Sequence, residues 1–167
     1  AAPILRLWLL SPAFALWVSL VPARRALRIW DAPLQFLGRL ARRTWEFFAT
    51  CVTAEDNWLP PDNLQEHPIR VVAHRTSPTN IGLSLLANLA AHDFGYIDAA
   101  TLLHRTGATL DTLSSLERHR GHFYNWYDTR TLRPLVPRYV STVDSGNLAG
   151  HLLVLAEGLR MLGDAPP

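Results

Sequence analysis

Ser77-Pro78-Thr79-Asn80-Ile81-Gly82-Leu83-Ser84-Leu85-Leu86-Ala87-Asn88-Leu89-Ala90-Ala91-His92 reads as a helix with its start written into it. A serine before a proline pairs a helix cap with a first-turn residue that needs no amide hydrogen. Beyond them Ile81, Leu83, Leu85, Leu86 and Leu89 fall on most faces, with Gly82, Ala87, Ala90 and Ala91 between. A helix that is apolar all round is a buried helix.

Three more helices follow from the same period. From Leu34 to Val52, apolar residues recur at Leu37, Leu40, Ala41, Trp45, Phe48 and Val52. From Asp98 to about His119, one face carries Ala99, Leu102, Leu103, Thr106, Leu110, Leu113 and Leu116. From Asp144 to Leu162, Leu148, Leu152, Leu155, Leu159 and Leu162 alternate at four and three residues. The connections are long. Glu55 to Asn63 is too rich in proline and turn-forming residues for a helix, and an extended loop continues to Arg75. Prolines between Thr131 and Pro137 leave at most short strands there. The pattern is mainly α, with paired helices and loops of the kind that carry binding groups.

The richest loop is His122-Phe123-Tyr124-Asn125-Trp126-Tyr127-Asp128, with Asp144-Ser145-Gly146-Asn147 downstream. Rings interleaved with amide, imidazole and carboxylate groups suit carbohydrate: the rings cover apolar sugar faces and the polar groups take the hydroxyls. A structural aromatic cluster gains little from Asp128, because a buried unpaired carboxylate is costly. Each residue also has a plainer reading. Asp128 fits an Asx turn with Thr129 and Arg130. Asp144 fits a helix N-cap, as do Ser77, Thr79 and Asn80 at the earlier helix. Arg75 fits a carboxylate partner, and some of Tyr124, Trp126 and Tyr127 fit a core. Sugar cleavage needs two carboxyl groups across one bond, and Asp128 and Asp144 are the pair in suggestive contexts.

At 167 residues the chain can bury one sizeable core. Its net charge of +2 hides a split. Residues 1–43 hold seven arginines against Asp31, whereas the remainder is acidic on balance. No nucleic-acid motif accompanies the basic part, so a membrane surface explains it better than nucleic acid. Ile4 to Val21 is nearly all apolar, interrupted by Arg6 and Pro12. Trp8 and Trp17 suit an interface, and Arg24, Arg25 and Arg28 suit its cytoplasmic side. Spanning the bilayer and lying on it both fit. Residues 1–30 therefore form a membrane-proximal unit, distinct from 31–167. The single cysteine, Cys51, sits in a helical apolar pattern and reads as a buried side chain. No phosphate loop, nucleophile elbow or metal-ligand set is present, so neither cofactor nor metal is implied.

Three stretches carry a family resemblance: Arg75 to Leu83, Gly121 to Thr129 and Tyr139 to Gly150. In that order they resemble the central region of bacterial cyclic β-1,2-glucan synthases of the NdvB type, with support from Thr44 to Phe48 and Glu55 to Asn63. The resemblance implies a large inner-membrane protein joining a UDP-glucose glycosyltransferase, a glucoamylase-like (α/α)6 domain and a phosphorylase-like domain. The middle domain closes linear β-1,2-glucan into rings by transglycosylation. This chain would then be the start of that domain, an incomplete (α/α)6 toroid behind an apolar helix, on the cytoplasmic side. Its partners would be β-1,2-glucan, the rest of the synthase and the membrane. Substrate contacts would come from Arg75, Thr79, Asn80, Tyr124, Trp126, Asp128, Asp144 and Asn147, with the catalytic acids elsewhere. Two other classes remain open: a non-catalytic membrane-associated carbohydrate-binding module, and a glucoamylase-like hydrolase.

Overall fold

The computed structural model describes residues 2–19 and 31–164. Arg24, Arg25 and Arg28 lie outside the described residues. By backbone contacts the chain divides into two units, Ala1–Leu37 and Gly38–Pro167.

The first unit contains α1 (Ala2–Ser19), which accommodates Pro12 within it. Its Trp8, Leu9, Leu10, Phe14, Leu16, Trp17 and Val18 are all exposed. Among the described residues no helix is long and apolar enough to cross a membrane. Helix α2 (Asp31–Cys51) begins in this unit and runs into the second.

The second unit is built on α3 (Pro78–Asp93), α4 (Ala99–Ser115) and α5 (Thr142–Gly163). Helix α3 packs against both of the others. The core gathers Leu59, Ile81, Leu85, Leu113, Leu116, Tyr127, Leu148 and Leu155. Two glycines bring α3 and α5 close. A Cβ on Gly82 would overlap the His151 ring and sit 2.9 Å from the His151 Cβ, and one on Gly158 would overlap Leu89. Burial of such apolar side chains is the main drive for this packing.

All four helices expected after the N-terminal segment are present, with changed ends. Helix α4 stops at Ser115, not near His119, because Leu116 turns the backbone extended at ψ 138 while its side chain still enters the core. The chain then forms a tight hairpin of β4 (Arg118–His119) and β5 (His122–Phe123), with Arg120 and Gly121 at φ 51 and 87. Positive φ at both central residues is what a two-residue hairpin turn requires. Helix α5 begins two residues earlier than expected and is capped by Ser141, whose hydroxyl accepts from the Asp144 amide at 3.1 Å. Asp144 is therefore in the first turn and is not the cap.

The loop from Glu55 to Arg75 is less irregular than its prolines suggest. A 3-10 turn at Ala54–Asp56 precedes a hairpin of β1 (Leu64–Gln65) and β2 (Val71–Val72). Then β3 (Arg75–Thr76) pairs antiparallel with β6 (Tyr127–Asp128), placing Arg75 opposite Asp128. Buried Asp56 locks this region. It accepts from the Thr129 hydroxyl at 2.6 Å and lies 2.8 Å from His74 Nδ1 and 3.7 Å from Arg130 Nε. Arg105 ties α2 to α4, donating to the carbonyls of Phe48 and Val52 at 2.9 and 3.3 Å and to Asn88 Oδ1 at 3.2 Å. Its guanidinium also lies between Trp45 and Trp58, 5.2 and 5.6 Å from their rings. Cys51 is buried, as its pattern predicts.

Candidate functional site

The N-termini of α3 and α5 meet, and both begin alike: Ser77-Pro78-Thr79-Asn80 and Ser141-Thr142-Val143-Asp144. In each, the serine caps the helix and accepts from the amide three residues on, at 3.3 Å from Asn80 and 3.1 Å from Asp144. Asn147, one turn into α5, donates its amide to Thr79 Oγ1 at 3.1 Å and joins the two ends.

Asp144 faces this junction. Burial pushes its carboxyl pKa up. Hydrogen bonds from the Ser141, Thr79 and Ser77 side chains and from the Thr79 backbone outweigh that, and hold it below the ordinary carboxylate range. A positive helix end favours the ionised form in the same sense.

The third component is Asn125, which is buried. The indole nitrogen of Trp126 is a donor only, so the Asn125 amide atom 2.7 Å from it is the oxygen. That oxygen also accepts from Tyr139 OH at 2.8 Å, and the amide nitrogen then donates to Asp144 Oδ2 at 2.8 Å. One buried amide thus couples the aromatic loop to the acidic end of α5.

Arg75 stands beside this group. It donates to Asp62 Oδ2 through Nε and Nη2, at 3.1 and 2.9 Å, and its guanidinium lies 5.1 Å from the Trp126 ring centre. Asp62 Oδ1 takes a long 3.5 Å bond from Asn80. The carboxylate-partner reading of Arg75 therefore holds, and the same contacts stack it on an aromatic face.

Arg75, Thr79, Asn80, Trp126, Asp144 and Asn147 are thus brought together, although they come from three separate stretches of sequence. Asp128 and Tyr124 stand differently. Asp128 lies opposite Arg75 by register, but its Oδ1 accepts from the amides of Arg130 and Thr131 at 2.9 and 2.7 Å. That is the Asx turn of the plainer reading. Burial again pushes this carboxyl up, but the Thr131 and Arg130 bonds win and its pKa is lowered. Tyr124 contacts His119, Tyr127 and Arg138. Tyr127 is a core residue: its hydroxyl donates to Glu117 O and accepts from the Tyr124 amide, both at 2.7 Å, and burial is the first cause of a pKa raised to about 12.

Asn125, Ser77, Asp62 and Tyr139 belong to this neighbourhood and were not among the contacts expected from sequence. An asparagine among aromatic residues was the available signal for the first. A concavity of about 870 Å³ lies to one side, lined by Arg43, Glu46 and Phe47 of α2 and by Asn63, Glu66 and Arg70. It shares only Asp62 with the helix-end cluster.

No protein-family profile matches the chain. A curated relative does: the cyclic β-(1,2)-glucan synthase NdvB of Rhizobium meliloti is 46% identical over 165 residues, which is 98% of this chain. Nearly the whole chain is thus similar to one short segment of a cyclic β-1,2-glucan synthase. The chain spans 6% of that relative's length.

Solved structures agree on the fold. A glucoamylase-like protein of Bacteroides fragilis superposes with a TM-score of 0.61 at 19% identity, covering 79% of this chain and 32% of the other. The endo-β-1,2-glucanase of Chitinophaga pinensis, in complex with sophorotriose and glucose, gives 0.59 at 16% identity, covering 77% and 35%. The fold is thus mainly α and glucoamylase-like, and the aligned part covers about a third of each of those chains.

Proposed function

We propose that this chain is the opening part of the transglycosylase domain of a cyclic β-1,2-glucan synthase, and that the junction of α3 and α5 holds β-1,2-glucan. The carrying observation is the convergence of Thr79, Asn80, Trp126, Asp144 and Asn147, with Asn125 bridging two of the three stretches. Helix N-termini offer directed amide dipoles, and the side chains offer both donors and acceptors, which is the chemistry a run of sugar hydroxyls needs.

The two carboxylates act here as binding groups. A general acid for glycosidic oxygen needs a raised pKa so that it holds a proton near neutrality. Asp128 and Asp144 are both lowered, so both are ionised acceptors at pH 7. Arg75, braced by Asp62 and Trp126, presents a fixed cation at the edge of the site, and Tyr124 and Asp128 border it. Ring closure by transglycosylation then relies on acids elsewhere in a longer polypeptide, whose N-terminal flank, residues 1–30 here, is attached to the inner membrane. Residues 31–167 belong to the toroid, on the cytoplasmic side.

Titration of the chain with β-1,2-glucan oligosaccharides by calorimetry tests this reading. Saturable binding that weakens at least tenfold in Asp144→Asn and Trp126→Ala is expected. Equal affinity for β-1,2- and β-1,3-linked oligosaccharides, or none for either, defeats it. The endo-β-1,2-glucanase fold likeness keeps a hydrolase as the second reading. Linear rather than cyclic products from the complete protein would favour it.

A further inference from the structure

We propose that the first half of α2 is an interfacial helix that rests on an anionic lipid surface. This extends the membrane attachment proposed for residues 1–30 to a second, separable contact.

Helix α2 has no acidic residue between Asp31 and Glu46, a stretch that contains Arg39, Arg42 and Arg43. Leu34, Leu37 and Leu40 in the same stretch are 56, 47 and 51% exposed. The 3.6-residue period sets these leucines on one side of the helix and the three arginines on the other. Further along the helix the apolar side is covered, with Trp45 and Cys51 buried. One helix thus changes from a bare apolar side to a packed one near Ala41. A bare apolar side, backed by one that carries Phe36 but no charge other than arginine, fits the boundary between acyl chains and anionic headgroups, where the stems of Arg39 and Arg43 extend toward the phosphates.

Protein contacts reach α2 from Gly38 onward. Tyr96, after α3, donates its hydroxyl to Gly38 O at 3.3 Å, and the Arg42 guanidinium lies 4.6 Å from its ring centre. Phe94 stacks on Tyr96 with ring centres 5.6 Å apart. Asp93 and Asp98 flank this turn and are exposed, so they keep it out of an anionic layer and leave the contact to α2. From this turn the 16 residues of α3 run to the Ser77 end.

A Leu40→Cys chain in a Cys51→Ser background, labelled with an environment-sensitive fluorophore, tests the proposal, with Leu34→Cys as a second probe position. Vesicles of phosphatidylglycerol mixed with phosphatidylcholine should shift the emission to the blue, and lipid-borne quenchers should reach the label. Arg39→Gln with Arg43→Gln should weaken partitioning about thirtyfold, the product of two basic residues near such a surface. If the chain floats with vesicles while both labels stay in water, the α2 contact is wrong and attachment through residues 1–30 survives. If it does not float at all, both fail. A blue emission already present without vesicles marks cover by protein and overturns the proposal, as does partitioning that ignores the arginine substitutions.

Discussion

Asp56 and Asp144 are two carboxylates given neighbours of similar chemistry and put to opposite ends. Asp56 is buried in a closed knot with Thr129, His74 and Arg130, all of them side chains that lock loop to loop. Asp144 is only half-buried, and its partners are helix-end hydroxyls and one amide. Closure makes the first a fastener. Openness, with donors arriving from three stretches of chain, leaves the second able to meet a ligand.

The contrast is sharpest at Asp56. Asp56→Ala strands a buried threonine hydroxyl and two basic side chains, so it should cost about 3 kcal/mol of stability by urea unfolding. Asn125→Ala should cost about 2 kcal/mol, since it orphans the Trp126 indole and the Tyr139 hydroxyl, and should raise the Asp144 pKa by removing a donor, as carboxyl NMR titration would show. Asp128→Ala opens one Asx turn on the surface and should cost about 1 kcal/mol. Asp144→Asn should cost less than about 1 kcal/mol at pH 7, the part its lowered pKa contributes, while weakening glucan binding tenfold or more. A large loss of stability in that variant would erase the distinction between the two carboxylates.

Acid should weaken what Asp144 and Asp128 contribute. Asp144 and Asp128 titrate lower in the folded chain than the ordinary value of about 3.9, so the unfolded chain takes up their protons first. The stability they add is complete above that pH and is lost as the pH falls through their folded values. Thermal unfolding between pH 5 and 2, run on the Asp144→Asn chain, should show a shallower acid decline than the parent.

Much of the fold was legible, because helical period survives in a single sequence. The run from Ile81 to Leu89 showed α3 to be apolar on most faces, though Leu83 is left exposed while Ser84 and Asn88 are buried, and Ser77-Pro78 gave its start. The end of α4 was not legible, since Leu116 continues the apolar period after the backbone has left the helix. Strands of two residues carry no alternation to read, so the pairing of Arg75 with Asp128 across more than fifty residues left no local trace. At α5 the trace existed: Ser141 three residues before Asp144 repeats the spacing of Ser77 and Asn80, and that spacing is a capping signature. Asp144 drew the cap assignment because acids and caps share the first turn.

Gly82 touches neither the carboxylates nor the aromatic loop, yet it governs how far apart the walls of the site stand. With the His151 side chain seated where a methyl group would go, α3 and α5 approach closely there, and Ser77 and Ser141 inherit that spacing. Gly82→Ala would act as a shim, widening the gap between two helix ends whose own residues are all unchanged.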